Sequence, residues 1–360
     1  CRRLALARQH TAADAKFDDY GGWMRPAAYL HADETEALAI AREVRAVRTG
    51  VGLFEASPLG KIELKGRDAA TYVNTISTLK PGRCRYGLML DENGMIFDDG
   101  IVTRLADDHF LMGTTSGHAA AIAETLEEWL QCEWPDLRVL TQDVTTCWAV
   151  LNLAGPKARQ VLSALDSSID FGAPSFPHMQ HREGVIAGIR ARVARVSFSG
   201  ELSYEIAVPW READSLWALL MAAGEPCGLT MFGVEALMTM RIEKGFLHIG
   251  SETDGVTQPQ DVGFGKVLAN KKSDFVGRRS TCRPDSLRDG RRQFVGIAVD
   301  GSDPLEVGAH IVAIGKEDAV GSDGWITSSA WSPTLDAPVA LAMVNGGTER
   351  IGETVKVWDL

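Results

Sequence analysis

Residues 91–104 read DENGMIFDDGIVTR. Asn93-Gly94 carries the positive-φ chemistry of a tight hairpin turn, and from Met95 onward the segment reads as a strand. Side chains alternate along a strand. Met95, Phe97, Asp99, Ile101 and Thr103 therefore share one face, and Ile96, Asp98, Gly100 and Val102 share the other. Both faces are largely apolar, yet they carry two adjacent carboxylates, Asp98 and Asp99. A carboxylate buried beside Phe97 and Ile101 costs several kcal/mol unless something pairs with it. Such a residue either hydrogen-bonds to a neighbouring loop or faces a ligand cavity. The rest of the chain has to decide between the two.

A length of 360 residues with 45% apolar content predicts two or three domains with real cores. No apolar run reaches the ~20 residues of a membrane helix, and no charged-then-apolar leader is present, so the expectation is a soluble cytoplasmic protein without a membrane partner. The chain starts at Cys1 instead of Met, which sets the further expectation of a trimmed N-terminus. Six cysteines are scattered without a C-x-x-C pair or a nearby His at ligand spacing, so no metal is expected and the thiols read as reduced and mostly buried. A net charge of −11 argues against a nucleic-acid surface.

Moving outward from the opening segment, YGGWMRPAAY (20–29) reads as an aromatic, Gly/Pro-rich loop. A helix follows through Glu34 to Arg48, with Leu38, Ala41, Val44 and Arg45 in periodic places. GLFEAS and GKIELKG read as strands, Asp68 to Ile76 as a helix, and Tyr86 to Leu90 and HFLMGTT (109–115) as strands flanking the carboxylate strand. Helices are expected at 117–131, in PKARQVLSAL, at about Glu212 to Ala223 and from Gly233 to Lys244. WAVLNLAGP reads as a strand, and ARVARVSFSGELSYEIAVP (191–209) as a hairpin. Beyond about residue 270 the texture changes to short strands with Gly-rich turns, GIAVDG, GAHIVA, WITSSAWSP, VALAMV and GETVKVW, which predicts a small barrel or sandwich. Gly50-Val51-Gly52 and Gly263-Phe264-Gly265 lack the third glycine of a dinucleotide fingerprint.

Three further features carry chemistry. Glu205 alternates with apolar Tyr204 and Ile206 and is framed on its own face by the small Ser203 and Ala207, which leaves room for a ligand; a solvent-exposed face would read the same way. In the helix Gly233 to Lys244 the inward stripe is Val234, Leu237, Met238 and then Arg241. An inward arginine needs an anion, either a protein carboxylate such as Glu243 or Glu205 or a ligand carboxylate. Gly245 ends the helix. The basic stretch Lys266, Lys271, Lys272, Arg278 and Arg279 reads as a solvated face, or as a local field for a polyanionic tail if it borders a cavity.

Taken together these segments resemble the glycine-cleavage T-protein (aminomethyltransferase) superfamily. GMIFDDGIVTR is similar to its G-G-I-x-D-D-L-I-V, RVSFSGELSYEI to its R-x-G-Y-T-G-E-x-G-x-E-I, and MRIEKG to its L-R-L-E-A-G. The likeness runs from about Tyr20 to Lys356. A narrower likeness, through WMRPAAY, VGLFEASPLGKIELKG, GRCRYGLMLDENGMIFDDG, FSGELSYEI, EKGF and TSSAWSPTL, is to the folate-binding C-terminal part of the sarcosine oxidase α subunit.

The resemblance implies an α+β fold, a three-lobed cloverleaf around a tetrahydrofolate site, divided into a folate-binding region over 1–275 and a C-terminal β-barrel domain over 276–360. It implies an enzyme that captures the one-carbon product of sarcosine oxidation on tetrahydrofolate, giving 5,10-methylenetetrahydrofolate. Carried over by position, Asp99 is the catalytic aspartate near the reactive folate nitrogens, Glu205 the carboxylate that grips the pterin, and Arg241 a folate-contacting arginine. No other cofactor is implied within this chain. Flavin and NAD belong to a preceding dinucleotide-binding half or to a flavoprotein partner subunit, with truncation expected at both ends. The pattern departs from the family at several places. The family's D-V-S-H-M-G is Glu55-Ala56-Ser57-Pro58-Leu59-Gly60 here, its Tyr in G-Y-T-G-E is Phe198, the segment Ser77 to Lys80 is shorter, and a folate-contacting tyrosine near the C-terminus has no match. A stand-alone folate-dependent aminomethyltransferase or demethylase is the alternative. A folate-binding iron–sulfur assembly relative is the third reading; its Lys-Gly-Cys-Tyr signature is Lys244-Gly245-Phe246-Leu247 here, without the thiol.

Overall fold

The computed structural model describes residues 1–73, 78–271, 273–315 and 321–358. They form two compact units: Cys1–Gly87 with Asp99–Met238, and Leu88–Asp98 with Thr239–Leu360.

The first unit opens on a three-stranded sheet in the order Arg2–Arg3, Trp23–Tyr29, Ala15–Tyr20. The expected loop 20–29 is thus mostly a strand. Gly21 and Gly22, both at positive φ, turn the chain tightly enough for Tyr20 to pair with Trp23, and a bulge after Lys16 brings Phe17 opposite Pro26. Thr35 caps the helix Glu36–Thr49 by accepting from the Leu38 amide. Its inward face is Ala39, Glu43, Val44 and Val47, while Leu38 is 59% exposed, so the stripe differs from the expected one. Of the expected helix Asp68 to Ile76, the structure shows Ala69–Tyr72; residues 74–76 lie outside the described residues, as does Ser77.

The main sheet has eleven strands in the order Thr230–Met231, Gly52–Glu55, Trp148–Ala154, Ser203–Pro209, Ile189–Arg195, Gln180–Ile186, Arg83–Leu90, Ile96–Ala106, His109–Thr114, Gly60–Lys65, Leu140–Asp143. One face of its first half buries Leu53, Leu151, Leu153, Tyr204 and Ile206 against Val161 and Leu162 of the helix Ala158–Ser163 and Leu216 and Leu220 of the helix Ala213–Gly224. The strands Gln180–Ile186 and Leu140–Asp143 escape the sequence reading. Their side chains are mostly polar; the first is held as the hairpin partner of Ile189–Arg195, and the second by pairing to the sequence-distant Gly60–Lys65.

In the second unit the turn before the carboxylate strand closes as the sequence predicts. Asp91 and Met95 pair through Asp91 N–H to Met95 O (3.0 Å), and Gly94 takes φ 77°. A Cβ on Gly94 would stand 2.8 Å from Thr281 Cγ2, so the close approach, as well as the dihedral, calls for glycine. All five C-terminal strand predictions hold. They form one antiparallel sheet ordered Arg292–Ala298, Ala337–Asn345, Gly324–Ser332, His310–Ala313, Val355–Trp358, around Ile311, Ile326, Ala340, Ala342 and Val344.

In the helix Val234–Glu243 the buried face differs from the predicted stripe: Val234 and Arg241 are buried as expected, Leu237 and Met238 are only half-buried, and Ala236, Met240 and Ile242 are buried. It ends as expected, with Gly245 at φ 64° and the Phe246 amide donating to Arg241 O at 3.0 Å. Among the described residues no helix is long and apolar enough to cross a membrane.

Candidate functional site

Strand register sets up the candidate site. Phe54 pairs with Asn152, and Asn152 pairs with Glu205, so the three form a row across adjacent strands. Directly opposed residues share a face. This face is the reverse of the one carrying Leu53, Leu153 and Tyr204 into the core. Asn152 Nδ2 donates to Ser203 Oγ at 2.8 Å, next to Glu205 along its strand. The Glu205 carboxylate itself makes no hydrogen bond and no ion pair among the described residues. Burial pushes its carboxyl up to about 7, against the pull of the Lys61 charge. Glu205 is half-buried, which is less open than a fully solvated strand face would leave it.

Lys61 is 7% exposed, and its Nζ donates to the Ser57 and Leu59 carbonyls at 2.9 and 2.6 Å. Burial lowers it to about 8, with the Glu205 charge acting the other way. Sequence reasoning missed this lysine because its relation to Glu205 is purely tertiary. Glu43 makes an instructive contrast. Burial raises it to about 7 too, but its oxygens accept from the Tyr29 and Gly233 amides at 2.7 and 2.8 Å. Glu43 therefore braces backbone, whereas the acceptor capacity of Glu205 remains for a ligand.

Asp99 accepts from the Tyr86 hydroxyl at 2.6 Å and is partly open. Asp98 is fully buried on the Ile96 side, as strand alternation requires. Two residues away from this pair, Cys84 Sγ lies 3.3 Å from Thr103 Oγ1, giving parallel contacts Cys84–Thr103 and Tyr86–Asp99 on one face of the two strands. Burial pushes the Cys84 thiol up to about 11, and Glu205 is among the charges that raise it further. Tyr86 was legible as a strand residue but not as a partner of Asp99; its same-face spacing from Cys84 was the available signal.

Arg241 belongs to the second unit and is 1% exposed. Its anion is Glu252, not Glu243 or Glu205 as expected: Nη1 reaches both Glu252 oxygens at 3.0 Å and Nη2 donates to Ser328 Oγ at 2.5 Å. Glu252 also accepts from the His248 amide and from the Thr327 and Ser328 hydroxyls. Glu243 accepts from Ser332 Oγ at 2.6 Å. The arginine's remaining buried donor, Nε–H, has no acceptor among the described residues. In the basic stretch Lys266 and Arg279 are exposed, in keeping with a solvated face, and Lys272 lies outside the described residues. Four of the six cysteines, Cys1, Cys132, Cys147 and Cys282, are exposed, which corrects the expectation of mostly buried thiols.

Two domain families match the chain in succession. The GCVT N-terminal domain family matches residues 6–272, and the glycine cleavage T-protein C-terminal barrel domain matches residues 292–359. The chain is 43% identical to sarcosine oxidase subunit alpha of Corynebacterium sp. (strain U-96) over 99% of its length, but it spans only 38% of that protein. It is 33% identical to an aminomethyltransferase of Streptomyces coelicolor, covering 99% of this chain and 94% of that one. Both relatives are enzymes. Among solved structures, the glycine cleavage system aminomethyltransferase T of Bartonella henselae superposes with a TM-score of 0.84 at 25% identity, covering 99% of this chain and 93% of that chain. This agrees with the mixed helix and strand architecture and its separate antiparallel C-terminal sheet. With both of its domain families matched in order and its fold reproduced in a solved relative, the chain belongs to the glycine cleavage T-protein family.

Proposed function

We propose that this chain is a tetrahydrofolate-binding one-carbon transfer domain that takes up the product of N-methyl amine oxidation, with sarcosine as the amine and a flavoprotein partner subunit as the oxidase. The observation that carries this reading is Glu205: a desolvated carboxylate near its titration point, without a hydrogen-bond partner among the described residues, on a sheet face turned away from the core. A pterin edge offers an N–H and an exocyclic NH₂ side by side, a donor pair that a carboxylate accepts bidentately. Tetrahydrofolate, when bound, supplies two nitrogens that carry a one-carbon unit as 5,10-methylenetetrahydrofolate.

In this reading Glu205 grips and orients the pterin. Asp99, held by the Tyr86 hydroxyl, stabilises developing positive charge and accepts the proton released. Arg241 is assigned a folate contact on the family resemblance. We assign the folate-binding region to residues 1–275 and the barrel to 276–360. A stand-alone folate-dependent aminomethyltransferase or demethylase is the second reading, in keeping with the 33% identity to the Streptomyces coelicolor aminomethyltransferase.

Calorimetric titration of tetrahydrofolate into the purified chain tests the common ground of both readings, and well-folded protein that shows no binding removes it. Assay with sarcosine and the flavoprotein, against assay with an aminomethyl donor alone, then separates them.

A further inference from the structure

Arg25 lies on the strand Trp23–Tyr29 and is 7% exposed. Its guanidinium stands 5.3 Å from the centroid of the Phe54 ring, which stacks at 5.3 Å on Phe232. Among the described residues the Arg25 guanidinium makes no hydrogen bond and no ion pair, and its buried Nε has no acceptor. The acidic groups whose charges reach it, Tyr20 and Glu55, are both engaged elsewhere. Glu55 holds His10 Nε2 at 2.7 Å and the Ala5 and Leu6 amides at 3.1 and 3.2 Å, while the Tyr20 hydroxyl donates to Glu235 at 2.5 Å. A guanidinium buried without a counter-ion costs far more than one ring face returns.

The register of the sheet says where such a cation would act. Phe54, Asn152 and Glu205 stand in one row on adjacent strands, each spaced by about 4.8 Å, so the ring beneath Arg25 lies about 10 Å along the row from Glu205. We propose that Arg25 is an anion-reading residue on this face, binding bidentately the carboxylate of a ligand that extends along the row toward Glu205. A planar fork of donors fits a carboxylate, and the aromatic support below fixes its plane.

The carboxylate can come from an amino-acid one-carbon donor or from the glutamate tail of folate. The identity of these ligands rests on the reading of Glu205 given above; the lone buried guanidinium does not.

The test uses the intact chain, wild type and Arg25→Met, in calorimetry with three probes: tetrahydrofolate, 6-methyltetrahydropterin, which carries no carboxylate, and N-methylglycine. Loss of at least about tenfold in tetrahydrofolate affinity with 6-methyltetrahydropterin unchanged assigns the tail. Loss confined to N-methylglycine assigns the donor. A variant that binds every probe as wild type does overturns the proposal, and so does a wild type that binds none. If N-methylglycine binding depends on Arg25 while folate does not bind at all, the Glu205 reading fails and Arg25 stands. Replacing an unpaired buried cation by an apolar side chain should hold or raise the melting temperature. Should Arg25→Met nevertheless fail to fold, Arg25→Lys keeps the charge without the fork and should still weaken the same probe; equal binding there overturns the proposal.

Discussion

Glu205 and Lys61 act on each other through their charges but form no ion pair. The ammonium is committed to the Ser57 and Leu59 carbonyls, so it tempers the cost of ionising Glu205 without occupying its oxygens. Glu205→Ala should therefore weaken tetrahydrofolate binding by about 1–3 kcal/mol, the scale of a charge-assisted hydrogen bond to a buried donor pair. Calorimetry decides it, and unchanged affinity would show that the pterin does not sit on Glu205.

The same carboxyl sets a pH dependence. Only the ionised form accepts both donors, and its titration is raised to about 7. Affinity should rise about tenfold per pH unit from roughly pH 5.5 to 7 and level off above, because one proton leaves on binding. In Glu205→Gln the profile should be flat. A wild-type profile equally flat across that window would contradict the assignment.

Stability runs the opposite way. A carboxyl whose folded pKa lies above its unfolded value near 4.5 costs nothing while it is protonated in both states. As pH rises past the unfolded value the cost appears, and it is complete above about 7. Glu205→Gln should accordingly match wild type at pH 4 and exceed it by about 1–3 kcal/mol at pH 8 in urea unfolding. An advantage that does not grow with pH would mean the carboxylate is compensated.

Asp99→Asn should separate chemistry from binding. The amide keeps size and an acceptor oxygen for Tyr86 but cannot take a proton, so product formation should fall by about 10²-fold or more while folate affinity falls little. Asp98→Asn, on the buried side, should lower stability and leave turnover per folded molecule nearly intact. A larger turnover loss at Asp98 would reverse the assignment of the two faces.

In the second unit, Arg241→Met leaves Glu252 buried without its cation and should cost about 3–5 kcal/mol in urea unfolding. Adding Glu252→Gln should recover part of the loss. If the double variant is no more stable than the single, the pair is not the energetic unit its geometry indicates.

How far the sequence could be read depended on whether a feature was local or tertiary. The turn at Gly94, the alternation that separates Asp98 from Asp99 and the end of a helix at Gly245 follow from neighbouring residues, and all three were legible. The five C-terminal strands were legible for the same reason. Glu252 as the partner of Arg241 was not, because a helix periodicity demands an anion without saying which loop delivers it. Nor was Lys61 beside Glu205, since strands Gly60–Lys65 and Ser203–Pro209 meet only through the course of the whole sheet. The strand Trp23–Tyr29 was hidden by its own composition. Gly21-Gly22 and Pro26 are loop residues by frequency, but here two glycines make the turn and a bulge accommodates the proline.

Cys84 gives this fold a chemical clock. Its thiol is shielded, poorly ionised and beside the Thr103 hydroxyl of the carboxylate strand, while four other cysteines stand in solvent. Once those four and the other buried thiol, Cys227, are replaced, alkylation of Cys84 can proceed only when the surrounding strands part, so its rate counts openings of the sheet itself. A ligand lying across those strands would slow the count.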